Sequence, residues 1–276
     1  MARHAKHGRK HAREIKRDRF REETLGFFGR IGDRLEGRGR DILYALGGLV
    51  VVALLAYGFL GWRERKANEA RQALGRAIEI AQSPVASASP APEPKLGERT
   101  FANERDRAQA AADEFQKVAD KYGDPFRTQA NYFKAANLLV VDHPKGLSEL
   151  DALTKSGDRE VSAWAKFALA QAKEADGDYD GAAALYLDLA SQRGGEPVIP
   201  TDTVNFRLAS VYEKQGKKQQ AADVLFQIVN ASREAKDKAG KPLPPSSAAR
   251  DADQKLQQLD PTRHEQLPPE PPRDIS

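Results

Sequence analysis

Between Asp41 and Arg63 the chain carries twenty-one consecutive residues with no charged side chain. At about 1.5 Å rise per residue they span roughly 31 Å as a helix, against about 30 Å of bilayer hydrocarbon. Eleven residues of Ile42–Trp62 are Leu, Ile, Val or Phe, and each favours insertion by roughly 0.3–0.6 kcal/mol near the bilayer centre. Ile42, Tyr44, Tyr57 and Trp62 mark the ends of the run, and aromatic rings prefer the headgroup level. A core helix of a soluble domain would carry polar residues over so many turns. A cleaved signal would be followed by a small-x-small site, and here Gly-Trp-Arg-Glu-Arg-Lys follows instead. The pattern predicts a permanent transmembrane helix over 42–62.

Downstream, "ERKANEARQALGRAIEIAQ" predicts a juxtamembrane helix over 63–82 that continues the span outward. "SPVASASPAPEPKLG" has clustered prolines and no apolar period, so 83–99 reads as a semi-extended linker. From residue 100 a helical period returns. Ala108, Ala111, Phe115, Val118, Ala119 and Tyr122 share one face. "GDP" at 123–125 ends that helix, Phe126–Val140 forms the next, and Lys145–Leu153 a third. No alternating strand pattern occurs, so the expected fold class is all-α.

"FALAQAKEADGDYDGAAALYLDLA" (167–190) matches "FRLASVYEKQGKKQQAADVLFQIV" (206–229) at an offset of 39. Phe167 pairs with Phe206, Gly177 with Gly216, Ala182 with Ala221, and Leu189 with Ile228. Each unit is a helix, a Gly turn and a second helix whose small Ala permits close approach. This resembles the αα-hairpin of a tetratricopeptide repeat, its usual period lengthened by the loop "SQRGGEPVIPTD". The pairs 101–122 with 126–140, then 145–153, look like degenerate relatives. A hairpin buries its apolar face only by stacking, so about three units make a solenoid over 100–235. Residues 236–276 are expected to form a capping helix at 246–259 and a Pro-rich disordered tail.

Charge is unevenly placed. Residues 1–40 hold 13 Lys/Arg against 6 Asp/Glu, a net of +7, leaving −3 for the rest of a chain whose total is +4. The basic tail, 1–41, includes Leu25, Phe27, Phe28, Ile31 and Leu35 at helical spacing, which predicts an amphipathic helix on anionic lipid. Arginines flanking the span nearly balance, and the whole tail decides the orientation: its cations favour an N-terminus in the cytoplasm. "GRGR" at 37–40 fits a topology determinant or lipid contact better than nucleic acid, because no aromatic platform is interleaved. The absence of cysteine removes thiol catalysis and Cys-ligated zinc. No phosphate-binding, dinucleotide, zincin or nucleophile-elbow motif occurs. His4, His7 and His11 belong to a solvated basic arm, His143 to a solvated turn, and Asp176 and Asp178 flank a turn glycine. No catalytic, metal or cofactor residue is expected, and the protein is not expected to be an enzyme.

In tetratricopeptide proteins the first helix of each hairpin lines a groove. By that resemblance Trp164, Gln171 and Glu174 of one unit and Ser210 and Glu213 of the next face a partner-binding groove. The order of basic tail, span ending Gly61-Trp62-Arg63, Ala-rich helix and degenerate hairpins, with "VNFRLASV" at 204–211, resembles the YfgM-type family. That resemblance implies a single-pass protein of the bacterial inner membrane with a periplasmic repeat domain, ancillary to the SecYEG translocon. It further implies a chaperone-like role beside a membrane-bound periplasmic folding factor and translocated clients. Two other readings stay open: an adaptor of envelope assembly or cell division, and a cytoplasmic-facing adaptor using the tail on ribosomes or nucleic acid.

Overall fold

In a computed structural model of the chain, residues 39–86, 99–192 and 195–270 are described, with side-chain surroundings from Gly47 onward. The tail helix expected at 20–36, the three-histidine arm, the side chains of Ile42 and Tyr44, and the middle of the Pro-rich segment lie outside the described residues. Contacts divide the chain into two compact units, residues 1–67 and 68–276.

Within the first unit the helix α1 (Gly39–Ala81) begins. Every large apolar side chain from Leu49 to Trp62 is more than half exposed. Among the described residues, this one helix is long and apolar enough to cross a membrane. Phe59 and Trp62 lie 6.1 Å apart, and the Lys66 ammonium sits 4.3 Å over the Trp62 ring. An indole with a cation above it suits a headgroup boundary better than hydrocarbon or bulk water.

The second unit is built from the end of α1 and nine further helices among the described residues: α2 (Glu104–Lys121), α3 (Phe126–Val141), α4 (His143–Leu153), α5 (Arg159–Ala175), α6 (Tyr179–Ser191), α7 (Thr201–Lys214), α8 (Lys218–Glu234), α9 (Ser247–Leu259) and α10 (Pro261–His264). Side chains suited to capping start most of them. Asn103, Asp142, Asp158, Asp178 and Ser246 each accept a hydrogen bond from a first-turn amide of their helix. Gly177 and Gly216, the glycines aligned at the repeat offset, end α5 and α7 with φ of 81° and 75°. Only glycine adopts that backbone freely, so each turn is built around its glycine. From α2 to α9 each helix packs on the next, and four apolar clusters run along the stack. The unit is an all-α, tetratricopeptide-like solenoid.

The structure corrects four expectations. First, residues 68–81 continue the span's helix as expected, but they belong to the repeats rather than preceding them. Ala70 and Ala77 are each 1% exposed, packed with Phe115, Val118 and Tyr122 of α2, so this stretch is the first helix of the first hairpin. The repeats therefore begin near Asn68 rather than at residue 100. Second, the Pro-rich segment connects the two helices of that hairpin instead of separating domains. Its ends are tied: the Ala86 amide donates to the Phe101 carbonyl (2.8 Å), and the Phe101 amide to the Pro84 carbonyl (3.1 Å).

Third, the phase of the early hairpins shifts, with α3 taking the first position and α4 the second. Gly146, Ala182 and Ala221 are each the fourth residue of α4, α6 and α8. A methyl at Gly146 would come within 2.6 Å of the Leu139 amide nitrogen, so α4 and α3 pack backbone to backbone. Fourth, the tail is docked as far as Pro268. Leu267 sits among Leu225, Ile228 and Leu256, while Arg233 donates to the Pro268 carbonyl and to Asp253 (2.7 Å). Burying Leu267 covers apolar surface on α8 and α9.

Candidate partner-binding face

First helices neighbour one another along the stack: α3 meets α5 and α7 meets α9. Between α5 and α7 the Lys214 ammonium reaches Glu174 at 2.9 Å. Glu213 stands 39 residues after Glu174, one repeat offset, and is held in turn by Lys255 of α9 at 2.6 Å. Two of the residues read as groove-facing thus serve as rungs between successive hairpins. Glu174 is only 10% exposed, and its second oxygen accepts from the Tyr186 hydroxyl at 3.4 Å. Burial, then the Glu174 charge, pushes the Tyr186 hydroxyl well above the ordinary tyrosine range, so it stays a donor. The Glu174 hydrogen bond likewise raises Lys214.

Trp164 is half-buried on α5, its ring centroid 5.7 Å from that of Tyr132 on α3. It packs on the preceding hairpin while keeping part of its surface open. Tyr132 also meets Phe133 edge-on at 5.2 Å, and Phe133 stacks on Phe115 at 5.2 Å, so one aromatic row crosses three helices. Gln171 is half-buried two turns beyond Trp164. Ser210 is half-buried and donates to the Phe206 carbonyl of its own helix at 3.0 Å. Phe167, set 5.7 Å from Tyr186, belongs to the core between α5 and α6.

Sequence reasoning missed Tyr132, Arg207 and Lys214. The offset of 39 aligns Arg207 with Ala168, and that alignment hides a change from a methyl to an exposed guanidinium. A second network lies along the turns. His143 is not a solvated turn residue. It begins α4 and places Nε2 2.8 Å from Asp176 Oδ2, with Nδ1 3.1 Å from the Leu139 carbonyl. The hydrogen bond to Asp176 raises its pKa above the ordinary histidine value. Asp178 caps α6 and pairs with Lys173 at 2.6 Å, which lowers its pKa. Asp180 accepts from Gln215 at 2.8 Å. Each turn aspartate therefore engages a partner, and no group of three or more metal-ligating side chains gathers among the described residues.

No family model and no curated protein matches this chain. Among solved structures it is similar to a Podosopora anserina crystal structure of nearly identical TPR-like repeats, described under the name kinesin light chain. The likeness has 16% sequence identity and a TM-score of 0.46, covering 71% of this chain and 88% of that one.

Proposed function

We propose that the protein is a membrane-anchored, non-enzymatic interaction module that binds protein partners through the first-helix face of its repeats. The supporting observation is the face itself: a half-buried indole, amide and hydroxyl on α5 and α7, with the carboxylates beside them already held by lysines. A rigid aromatic with open surface on a scaffold of packed helices suits docking of another chain. In this reading α1 is the anchor, the basic tail stays in the cytoplasm, and the repeats stand in the periplasm. The segment order resembles the YfgM-type family, so the proposed partners are the Sec translocon, a membrane-bound folding factor or emerging clients.

The test is a photoreactive amino acid placed at Gln171 or Ser210, activated in intact cells. Cross-links to translocon subunits or newly exported chains are expected from both positions. Cross-links equal in kind and amount to those from exposed Asp113 of α2 would refute the assignment of the face.

A further inference from the structure

Successive hairpins are joined by ion pairs. Glu174–Lys214 links the third hairpin (α5 and α6) to the fourth (α7 and α8), and Glu213–Lys255 links the fourth to α9. A lysine and a carboxylate ordinarily both keep their charges from about pH 5.5 to 9. Between the second hairpin (α3 and α4) and the third, the ion pair among the described residues is His143–Asp176, at 2.8 Å. That junction is also the more thinly packed. Its cluster holds four buried side chains, Ala135, Leu150, Ala165 and Leu169, against seven where α5 and α6 meet α7.

The His143 ring has an acceptor at each nitrogen. Nε2 faces the Asp176 carboxylate and Nδ1 the Leu139 carbonyl at 3.1 Å. Neither acceptor can donate, so both contacts are hydrogen bonds only when both nitrogens carry protons, in the imidazolium. A neutral ring must give one up, and the bond to Asp176 is the one that crosses between hairpins. Of the charged groups around the ring, Asp142 is turned to the Lys145 amide as the cap of α4, and Lys173 to Asp178 at 2.6 Å. His264 also meets a carboxylate, Asp253 at 3.3 Å, but Arg233 holds Asp253 at 2.7 Å whatever the pH.

Near the start of α5, contacts that do not titrate in this range fasten it to the second hairpin. The Ser162 hydroxyl donates to the Thr154 carbonyl at 2.5 Å, and Trp164 packs on Tyr132. The third hairpin is thus pinned at one end of α5 and clasped by a histidine at the other. We infer that the junction between the second and third hairpins is a proton-operated joint, closed while His143 is an imidazolium and opened at the α5–α6 turn when the ring loses its proton. The inference does not depend on what the first-helix face binds. The clasp is complete below the ordinary histidine value of about 6.5 and is released as pH rises through the higher value that the Asp176 bond gives the folded ring. A partner touching both hairpins therefore meets one arrangement in acid and a looser one in alkali, while the fourth hairpin keeps its place on the third.

The chain has no cysteine, so paired spin labels go only where cysteines are introduced. In the full chain in nanodiscs, labels on Ser148→Cys and Ala184→Cys span the joint, and labels on Ala184→Cys and Gln227→Cys span the next junction; all three positions are exposed. Distances are read by double electron–electron resonance in samples frozen across pH 5.5–9, with helicity checked by circular dichroism. The 148–184 distance is expected to lengthen by about 2 Å or more, the scale of helix shifts between packed states. Its midpoint should lie above about pH 6.5, and the 184–227 distance should stay constant. His143→Gln should show the wild-type pH 9 distance at every pH. The inference is overturned by a 148–184 distance that does not change, by equal changes in the two pairs, by a midpoint below the ordinary histidine value, or by an unaltered pH response in His143→Gln. Should His143→Gln lose its helicity, the two wild-type pairs decide the matter by themselves.

Discussion

At Gly146 one missing methyl decides how two helices meet. A Cβ there would lie 2.6 Å from the Leu139 nitrogen and 2.9 Å from Leu138 and Leu139 backbone carbons, which cannot swing aside as a side chain can. Gly146→Ala should destabilise the repeat unit by about 1–3 kcal/mol, the usual cost of overpacking, although alanine is the better helix former. Urea midpoints by circular dichroism measure this, and an unchanged midpoint would contradict the close approach. His143 supplies a pH dependence. Its folded pKa is raised by Asp176 above the unfolded value of about 6.5. Its contribution is therefore complete below about pH 6.5 and is lost as pH rises through the higher folded value. His143→Gln should lower the urea midpoint at pH 5.5 and leave it nearly unchanged at pH 9; an equal loss at both would contradict the pairing. The sequence marks Gly177, Gly216, Ala182 and Ala221 plainly, because backbone sign and close approach restrict residue type. It conceals the Glu174–Lys214 and Glu213–Lys255 rungs, since the partners lie 40 and 42 residues away rather than at the repeat offset.

Among the elements, the end of α1 was the hardest to assign from sequence. Alanine contributes little to an apolar period, so Ala70 and Ala77 give no sign that they are 1% exposed. The prolines after them read as a domain boundary, whereas pairing of Pro84 and Ala86 with Phe101 makes them a connection within one hairpin. Likewise Leu267 is a single apolar anchor between polar residues and prolines, too short for any period to show. The paired helices over 159–234 were legible because each carries its own Gly turn and its own Phe and Ala marks. A chain beginning at Thr100 should lose the cover over Phe115, Val118 and Tyr122 and melt roughly 10 °C or more below one beginning at Asn68, several kcal/mol at about 2–4 °C each. Equal melting temperatures would show that 68–81 is dispensable and that the earlier boundary holds.

On the scale of the whole molecule, the two units answer different demands. One presents apolar side chains from Leu49 to Trp62 that no protein surface covers. Left in water, such a run would be an aggregation site, and lipid is the solvent that suits it. The other unit buries its apolar side chains in a row of clusters, each hairpin covering its neighbour, with α9, α10 and Leu267 closing the end. In the proposed reading the first unit is the anchor and the second carries the interaction face. The proposed side of the membrane rests on the tail: residues 1–40 carry a net charge of +7, which disfavours translocation of a short segment, while long domains cross largely regardless of charge. A bacterial alkaline phosphatase fused after Ser276 tests this most directly, because the enzyme is active only outside the cytoplasm. The account predicts a membrane-bound fusion that resists carbonate extraction and is fully active. A stable fusion that is inactive, or that is released into the soluble fraction, would contradict it.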